Sequence, residues 1–248
     1  MKYYVTSDVH GFHTLLRDAL TEAGYYRDPG PHKLVVLGDL LDRGKEALQM
    51  QDFILDLMEQ EQVILIRGNH EDLYVSLVTE DGGKPFSHHL HNGTFDTALQ
   101  LTGFDKFMAR YQNWEFAAAA RNTPFYYRII PAMRNYYETE HYVFTHGWIP
   151  FFDDYGKYRD SQDWRGASQE EWRKARWSNG MDAAGSYRGK KTVVCGHWHA
   201  SYGHARFEHK GAEFGPDADF SPYCGDRIIA LDACTAVSGR VNVLVLED

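Results

Sequence analysis

The sequence has 248 residues, of which 43% are hydrophobic and 25% are charged, a composition that excludes a disordered or fibrous protein. Its formal net charge of -9 has the wrong sign for a protein that holds nucleic acid by the phosphates, so we expect no nucleic-acid partner. An anionic substrate therefore needs a locally positive site, made by bound cations or by a few arginines.

Neither the cysteines nor the apolar runs indicate a secreted or membrane protein. Cys195, Cys224 and Cys234 are too few and too scattered for a disulfide framework. The N-terminus runs directly into a strand-like segment, and no apolar stretch is long enough to cross a membrane. We therefore expect a cytoplasmic protein, and the length suits a single domain over residues 1–248.

The first part of the chain alternates between short apolar runs and amphipathic segments. The apolar runs predict buried strands at 3–6, 34–37 and 63–66. Between them, apolar residues recur at helical spacing over 15–23, where Gly24 predicts a stop, and over 50–58. This alternation indicates an α/β protein with βαβ crossovers and a mostly parallel sheet.

The pattern changes after the third predicted strand. From 72 to 135, helical segments mix aromatic and polar residues without a clean apolar face, so we expect a helical insertion that shapes the substrate mouth. Apolar runs then return and predict strands at 142–145, 192–195, 228–232 and 241–246. The last two are joined through Ser238 and Gly239, which favours an antiparallel hairpin.

Polar residues with metal-binding chemistry follow five of the predicted strands, often beside glycine. These strand ends carry Asp8 and His10, then Asp39 with Asp42 and Arg43, then Asn69 with His70 and Glu71, then His146, and finally His197 with His199. Open α/β sheets place ligand sites outside the carboxyl ends of their strands. We therefore expect these side chains to share one crevice.

The side-chain types at these positions suit a pair of transition-metal ions. Asp8 and His10 are two residues apart, so in an extended segment both side chains point the same way. Asp39 lies on a glycine-flanked turn, where one carboxylate can bridge two cations. A shell of Asp, Asn and His without thiolates suits Mn²⁺, Fe or Zn²⁺ better than Ca²⁺. Two such ions about 3.5–4 Å apart clamp a phosphoryl group.

Some of these motifs, taken singly, also have an ordinary structural explanation. Residues 8–10 alone are typical of a turn or helix cap, and residues 68–71 alone are typical of a helix start with an acidic first turn. The acids and arginine of residues 39–43 are poor structural choices directly after a buried strand. The five motifs in this order therefore indicate a metal site and not a set of unrelated turns.

A group of histidines in the predicted insertion does not follow this pattern. His88, His89 and His91 lie near two glycines, outside any apolar periodicity. For this group we favour a solvated loop over a third metal site.

The series of strand-end motifs resembles that of the calcineurin-like metallophosphoesterases. The Asp42-Arg43-Gly44 and Asn69-His70-Glu71 forms resemble its phosphoprotein phosphatase branch, which includes bacterial and phage serine/threonine protein phosphatases and symmetrical diadenosine tetraphosphatases. Tyr223-Cys224-Gly225 is similar to a Tyr-Cys-Gly loop of the eukaryotic enzymes. The resemblance implies a four-layer β-sandwich, in which helices flank two mixed sheets.

The resemblance also implies a role for each site residue. It assigns one metal ion to Asp8, His10 and Asp39, and a second ion to Asp39, Asn69, His146 and His197, with Mn²⁺ first and Fe or Zn²⁺ as alternatives. His70 is implied as the general acid, with Asp42 orienting it and Arg43 gripping the phosphoryl oxygens. The implied reaction is direct attack on phosphorus by a metal-bridging hydroxide. These roles suit the side chains, since His exchanges protons near neutral pH and the guanidinium fork matches phosphate.

Two further residues extend this assignment. His199 completes a Gly-His-x-His form of the wider superfamily, so we expect it to be a metal ligand as well. The segment 172–177 resembles the Trp-x-Arg region of the bacterial branch, which makes Arg176 the expected distal phosphate-gripping residue. The alternative for Arg176 is packing against Trp172 or Trp177.

The motifs indicate that the substrate carries a phosphoryl group, but they do not indicate which molecule that group is attached to. The leading hypothesis is a phosphomonoesterase acting on phosphoproteins, followed by symmetrical diadenosine tetraphosphate hydrolysis and then by a small-molecule phosphatase. We expect the segments 72–135 and 150–176 to decide among them. A non-catalytic scaffold is disfavoured because the expected ligands and His70 are all present.

Overall fold

The computed structural model describes residues 1–154, 157–160 and 164–248, so part of the segment 150–176 lies outside the described residues. The strands, numbered along the chain, are β1 (Lys2–Thr6), β2 (His32–Val36), β3 (Val63–Leu65), β4 (Tyr137–Glu138), β5 (Tyr142–Phe144), β6 (Phe151–Asp154), β7 (Lys157–Asp160), β8 (Thr192–Cys195), β9 (Tyr223–Gly225), β10 (Ile228–Ala230) and β11 (Leu244–Glu247).

Helices connect these strands and cover both outer faces. The helices are α1 (His13–Glu22), α2 (Ala47–Glu59), α3 (Asn69–Val78), α4 (Ser87–Asn92), α5 (Thr94–Thr102), α6 (Lys106–Tyr111), α7 (Asn113–Arg121), α8 (Ile130–Ala132), α9 (Gln169–Arg176), α10 (Gly180–Ala183), α11 (Ala200–Phe207) and α12 (Thr235–Ser238). A π-helical turn, Phe125–Ile129, leads into α8. Among the described residues, no helix is both long and apolar enough to cross a membrane.

The strands form two mixed sheets and a separate hairpin. The first sheet has the order β11-β1-β2-β3, in which β1, β2 and β3 are parallel and β11 is antiparallel. The second has the order β4-β5-β8-β10-β9, with a parallel centre and an antiparallel strand at each edge. Strands β6 and β7 pair only with each other among the described strands. The mostly parallel arrangement of the first three strands is therefore confirmed.

The two sheets pack face to face, as the alternation of side chains along β1 illustrates. Tyr3 and Val5 point to one face and Tyr4 to the other, because successive side chains of a strand alternate. The inner core joins both sheets through Tyr3, Val5, Val35, Leu37, Ile64, Phe144, Val194 and Leu231. This confirms the predicted sandwich of two mixed sheets flanked by helices.

The helical periodicity of the first half also matches the structure. Helix α2 buries Met50, Ile54 and Leu57 against the outer face of the first sheet, the spacing expected of a core-facing helix. Helix α1 ends before Gly24, whose φ of 87° lies in the left-handed region that glycine adopts without strain. The stop predicted at Gly24 is therefore confirmed.

The predicted hairpin between the last two apolar runs is wrong. Strand β10 pairs with β8 and β9 in the second sheet, whereas β11 pairs antiparallel with β1 in the first. Helix α12 lies between β10 and β11, so the chain crosses from one sheet to the other. Local sequence gives the strand character of each run, but it does not specify which sheet edge offers free main-chain hydrogen bonds.

Between β3 and β4 the chain forms α3 to α8, which lie against the first sheet and its helices. The expected solvated loop around His88 is wrong, because these residues form α4. His89 is completely buried on that helix, whereas His88 and His91 are exposed.

Candidate metal centre

The predicted site residues follow the carboxyl ends of adjacent strands in both sheets. Asp8 follows β1, Asp39 follows β2, and Asn69 begins α3 after β3. In the second sheet His146 follows β5 and His197 follows β8. The two sheets therefore bring to one region the side chains that the sequence places at strand ends, around a cavity of about 230 Å³.

The backbone of this region is held in an unusual conformation. Several non-glycine residues have φ in the left-handed region, namely Asp8 (52°), His10 (48°), Asp39 (52°), Asp42 (77°), Arg43 (63°), His197 (65°) and Cys234 (50°). Such backbone strain costs about 1–3 kcal/mol per residue and persists only where the surrounding structure fixes it. Here it turns side chains out of the strand direction and toward a common cavity.

Glu71 fixes the turn that carries Asp39. This buried carboxylate accepts hydrogen bonds from the backbone N–H groups of Asp39 (3.1 Å), Leu40 (2.9 Å) and Gly68 (2.7 Å). Sequence reasoning gave Glu71 no role beyond an acid in the first turn of a helix. The structure shows that it ties the loop after β2 to the start of α3.

Asp39 lies at the centre of the cluster. Its Oδ1 is 3.3 Å from His146 Nε2, and its Oδ2 is 4.0 Å from His10 Nε2 and 3.8 Å from His70 Nε2. Two groups of possible metal ligands share Asp39: one adds His10 and His70, the other His146 and His197, and within each group the ligand atoms lie within 4.8 Å of one another. A carboxylate shared by two groups in this way suits the predicted bridging position.

The donor atoms around His146 fit a cation. Its Nδ1–H donates to the carbonyl oxygen of Leu37 (2.6 Å), so the neutral ring presents a lone pair on Nε2. That Nε2 faces Asn69 Oδ1 at 2.8 Å and Asp39 Oδ1 at 3.3 Å, and both of these oxygens are acceptors. Burial lowers the pKa of His146, which keeps the ring neutral. Three electron-pair donors that converge without a proton among them call for a shared cation.

His10 is fixed in the same tautomer. Its Nδ1–H donates to the carbonyl oxygen of Leu41 at 3.0 Å, which leaves Nε2 free to bind a metal ion. Burial lowers its pKa well below the usual range, and burial likewise lowers the pKa of His197 to about 3. Neutral histidines are the form that binds metal.

Asp8 completes the acidic side of the cluster. Its Oδ2 accepts hydrogen bonds from the backbone N–H of His197 at 2.9 Å and from the Ser7 hydroxyl. Burial raises the pKa of Asp8 to about 6 and also raises the pKa of Asp39. Buried carboxylates that lie this close together are stabilised by cations.

His70 differs from the other histidines of the cavity. Its Nδ1 donates to Asp42 Oδ2 at 2.7 Å, instead of to a backbone carbonyl. Burial lowers the pKa of His70, but the carboxylates of Asp39 and Asp42 outweigh this and raise the pKa to about 9. The two carboxylates therefore favour the protonated form of His70, whereas burial favours the neutral form of His10, His146 and His197.

Arg43 borders the same cavity from the exposed side. Its side chain lines the cavity, and Nη2 lies 3.4 Å from His70 Nε2. The residue is exposed, so the guanidinium is free to meet an anion that enters from solvent. Asp42 contacts Nδ1 of His70, so it can orient the ring without lining the cavity itself.

Asp232 belongs to the same cavity, although sequence reasoning gave it no function. It follows β10, lines the cavity and is buried, and burial together with Asp8 raises its pKa to about 8. The signal was present in the sequence, since Asp232 ends the apolar run 228–232 in the same way that Asp8 ends its own run.

His199 lines the cavity, but its ring is engaged elsewhere. Its Nε2 lies 2.8 Å from Glu213 Oε1, and the ring packs against Phe214. Among the described residues, His199 does not join either group of ligand atoms around Asp39. With Nε2 on Glu213, only Nδ1 of His199 is left to bind a metal ion.

The structure places Arg176 away from this cavity, which corrects the expectation that it grips phosphate there. Its Nε donates to Asp72 Oδ2 at 2.8 Å and its Nη1 to Asn135 Oδ1 at 3.0 Å. The side chain is nearly buried and lines a different cavity, together with Arg67 and Arg173. Local motif similarity did not reveal that Asp72, on α3, already neutralises this guanidinium.

Close packing around Gly196 leaves no space for a side chain. A Cβ at this position would lie 1.6 Å from Ser7 Oγ and 2.2 Å from Asp8 Oδ2. Gly196→Ala should therefore displace Asp8 and lower metal affinity at least about tenfold, with an overpacking cost of about 1–3 kcal/mol. Gly185→Ala is the matched control, since no atom of the described residues lies within 4 Å of its Cβ position. Metal titration and thermal denaturation measure both effects, and equal behaviour of the two variants would contradict the prediction.

Comparison with known proteins identifies the family. A model of the calcineurin-like phosphoesterase family matches residues 1–219. The chain is 36% identical over 80 residues to an asymmetrical bis(5'-nucleosyl)-tetraphosphatase of Anoxybacillus flavithermus, an alignment that covers 29% of this chain and 32% of the relative. It is 36% identical over 70 residues to serine/threonine-protein phosphatase 1 of Salmonella typhimurium, covering 28% of this chain and 30% of that protein. The alignments thus span about a third of each relative.

A solved structure supports the fold over the whole chain. A cold-active protein tyrosine phosphatase superposes with a TM-score of 0.51 and 18% sequence identity, covering 99% of this chain and 73% of that one. At this identity the similarity shows the fold alone. The family model, in contrast, covers most of the chain, including every predicted metal ligand. The chain therefore belongs to the calcineurin-like phosphoesterase family, a family of metal-dependent hydrolases.

Proposed function

We propose that this phosphoesterase hydrolyses phosphate monoesters and acts as a serine/threonine-type protein phosphatase. The observation that carries the proposal is the placement of a histidine bonded to Asp42 and of an exposed arginine beside a shared carboxylate. His70 Nε2 lies 3.4 Å from Arg43 Nη2 and 3.8 Å from Asp39 Oδ2. One phosphoryl group therefore reaches an anion-binding residue, a proton donor and a metal-binding carboxylate together.

The residues of the cluster fit two divalent ions. One ion would be held by Asp8, His10 and Asp39, which line the cavity together. The other would be held by Asp39, Asn69, His146 and His197, with His199 joining through Nδ1. Oxygen and imidazole donors without thiolates suit Mn²⁺ first, with Fe or Zn²⁺ as alternatives. When bound, two such ions supply Lewis acidity, which stabilises negative charge on a phosphoryl group.

Side chains of the protein bind the phosphoryl group and protonate the leaving group. Arg43 binds phosphoryl oxygens through its guanidinium fork. His70 donates the proton on Nε2 to the oxygen of the leaving group, while Asp42 holds Nδ1–H and stabilises the ring in its charged form. The alcohol product then departs neutral, and the ring regains a proton from solvent.

A threonine from the insertion completes this arrangement. The buried hydroxyl of Thr94, at the start of α5, donates to the same Asp42 Oδ2 at 2.6 Å, and Thr97 Oγ1 accepts from the backbone N–H of Asp42 at 3.0 Å. Hydrogen bonds to charged groups contribute about 1.5–3 kcal/mol. Thr94 therefore positions Asp42, and through it His70.

Thr94→Val should lower kcat on an alkyl phosphate by about tenfold, because part of that hydrogen-bond energy orients His70. KM and metal content should stay unchanged, since Thr94 contacts neither substrate nor the predicted metal ligands. Steady-state kinetics of Thr94→Val and Thr94→Ser test this. Serine retains the hydroxyl and should restore most of kcat; equal loss in both variants would show that Thr94 acts only through packing.

The Asp42-Arg43-Gly44 and Asn69-His70-Glu71 forms favour a phosphoprotein substrate, as does the likeness to a serine/threonine-protein phosphatase. The alternative is hydrolysis of a dinucleoside polyphosphate such as diadenosine tetraphosphate. Two observations favour it. The chain is as similar to a bis(5'-nucleosyl)-tetraphosphatase as it is to the protein phosphatase. In addition, Trp177 lines the cavity next to His197 and is 47% exposed, which leaves an indole face available for stacking on a nucleobase.

The first test is hydrolysis of an aryl phosphate by chelator-treated protein, with and without added Mn²⁺. Activity that returns with Mn²⁺ supports the metal-dependent phosphoesterase, whereas no activity with metal demonstrably bound argues for a non-catalytic scaffold. A competing panel of phosphoserine peptides and diadenosine tetraphosphate then separates the two substrate classes. A higher kcat/KM for the dinucleotide, reduced by Trp177→Ala, would overturn the protein phosphatase assignment.

A further inference from the structure

A second histidine cluster lies outside the cavity, at the start of α4. Asp81, His88 and His89 each offer one ligand atom, and these atoms lie within 4.8 Å of one another. Asp81 precedes α4 in the chain, and the two histidines lie in its first turn. The cluster contains no residue assigned to phosphoester hydrolysis.

His89 presents a buried nitrogen to this cluster. Its side chain is completely buried, and its Nε2 makes no hydrogen bond of standard geometry within the part of the chain that the structure describes. Asp81 Oδ2 lies 3.6 Å from this nitrogen, which is too far for a hydrogen bond, and the backbone of Leu73 also faces the ring. Two ligands of a tetrahedral ion with bonds of about 2.0–2.1 Å lie roughly 3.3 Å apart, so this separation is close to that of two ligands of one metal ion.

The other two ligands are already held in place. Asp81 Oδ2 accepts a hydrogen bond from the Ser76 hydroxyl at 2.9 Å, and the carbonyl oxygen of Asp81 accepts one from Lys84 N–H. The rings of His88 and His89 have their centroids 3.9 Å apart. His88 is exposed, so an ion can enter from its side.

From this geometry we propose that Asp81, His88 and His89 form a separate Zn²⁺ site, with solvent in the fourth position. Two imidazoles and one carboxylate are ligands that Zn²⁺ commonly takes, with a water completing a tetrahedron. The site also has a net charge that suits the ion, since one carboxylate offsets part of the charge of Zn²⁺.

The protonation of His89 sets one requirement for binding. Burial, followed by the neighbouring His88, lowers the pKa of His89, so its ring is neutral at pH 7. In the structure Nδ1 accepts a hydrogen bond from the backbone N–H of Phe86 at 3.2 Å, which places the ring proton on Nε2. Zn²⁺ on Nε2 requires that proton to move to Nδ1. That tautomer gives up the hydrogen bond that Nδ1 now accepts from the Phe86 N–H.

Helix α4 connects the proposed zinc site to the catalytic cavity. Helix α4 begins at this cluster and ends at Asn92, which lines the catalytic cavity. The next residue, Gly93, packs so closely on Arg43 that a Cβ there would lie 2.5 Å from Arg43 N. An ion at the start of α4 would therefore fix the helix that borders the predicted phosphate-binding arginine.

The test counts bound Zn²⁺, so it does not depend on phosphatase activity. Chelator-treated full-length chain is dialysed against Zn²⁺, and bound metal is measured by inductively coupled plasma mass spectrometry. His88→Ala and Asp81→Asn should each bind one Zn²⁺ fewer per chain than wild type. His91→Ala is the matched control, because His91 is an exposed histidine of the same helix outside the cluster. It should bind as many ions as wild type.

Folding must be kept separate from binding. His89→Ala removes a buried side chain and can fail to fold, so His88→Ala, an exposed substitution, carries the test, with circular dichroism as the check on folding. The ¹⁵N chemical shifts of His89 should also show the proton on Nδ1 once Zn²⁺ is bound. If folded His88→Ala and Asp81→Asn both keep the wild-type number of ions, the proposed site does not exist.

Discussion

Replacement of Asp39 by asparagine is expected to remove bound metal and phosphoesterase activity together. Both groups of ligand atoms include Asp39, so loss of its charge weakens both metal positions at once. Metal ions supply several kcal/mol of transition-state stabilisation, so the rate should fall on the order of 10³-fold or more. The fold should survive, because asparagine has the same shape and its Oδ1 can still accept the His70 N–H bond that Asp39 Oδ1 now accepts at 3.0 Å.

Metal content and aryl phosphate hydrolysis, measured on the same preparation, check this prediction. Asp52→Asn serves as the control, since it removes one carboxylate from an exposed position of α2 and leaves the cluster intact. That control should retain metal and activity. An Asp39→Asn variant that keeps its full metal content would contradict the bridging assignment, whatever its activity.

Replacement of His70 by asparagine is expected to have a different signature: the metal stays, but turnover of poor leaving groups is lost. General acid catalysis typically contributes about 10²–10⁴-fold, and this contribution is needed only where the leaving oxygen is too basic to depart unprotonated. Asp42 and Asp39 together raise the pKa of His70 against the effect of burial. A cation on Asp39 would offset that residue's share, whereas Asp42, bonded directly to the ring, keeps its own.

A series of phosphate monoesters with increasingly basic leaving groups distinguishes this role from a structural one. The ratio of wild-type to variant kcat should rise with leaving-group basicity, from near unity for an activated aryl ester to about 10²–10⁴ for an alkyl ester. Metal analysis should show the wild-type content. A uniform loss across the series would mean that His70 supports binding or metal retention and does not act as the proton donor.

The fold class and most of the residues that gather at the cavity can be predicted from the amino-acid sequence alone. This was possible because the relevant signals are local. A strand that is buried on both faces appears in the sequence as a continuous apolar run. A ligand site beyond the end of that strand appears as Asp, Asn or His beside glycine. Asp8, Asp39, Asn69, His146 and His197 all follow such runs, and the structure brings them together.

Which of the remaining polar residues face the site depends on contacts between distant parts of the chain. Arg176 forms an ion pair with Asp72, which lies more than one hundred residues earlier in the chain. The sequence around Arg176 therefore does not predict which group its guanidinium binds. Thr94 and Glu71 hold the proposed catalytic and metal-binding groups through bonds to Asp42 and Asp39, and no sequence periodicity encodes these pairings.

The same reason explains the errors in the fold. Strand β11 was expected beside β10 but completes the first sheet along β1, because the free main-chain edge of β1 is a property of the assembled sheet. His89 was expected in solvent but is buried by the packing of α4, and that packing created the cluster with Asp81. Secondary structure and strand-end chemistry depend on neighbours in the chain, whereas burial, strand partners and ion pairs depend on residues that meet only when the chain folds.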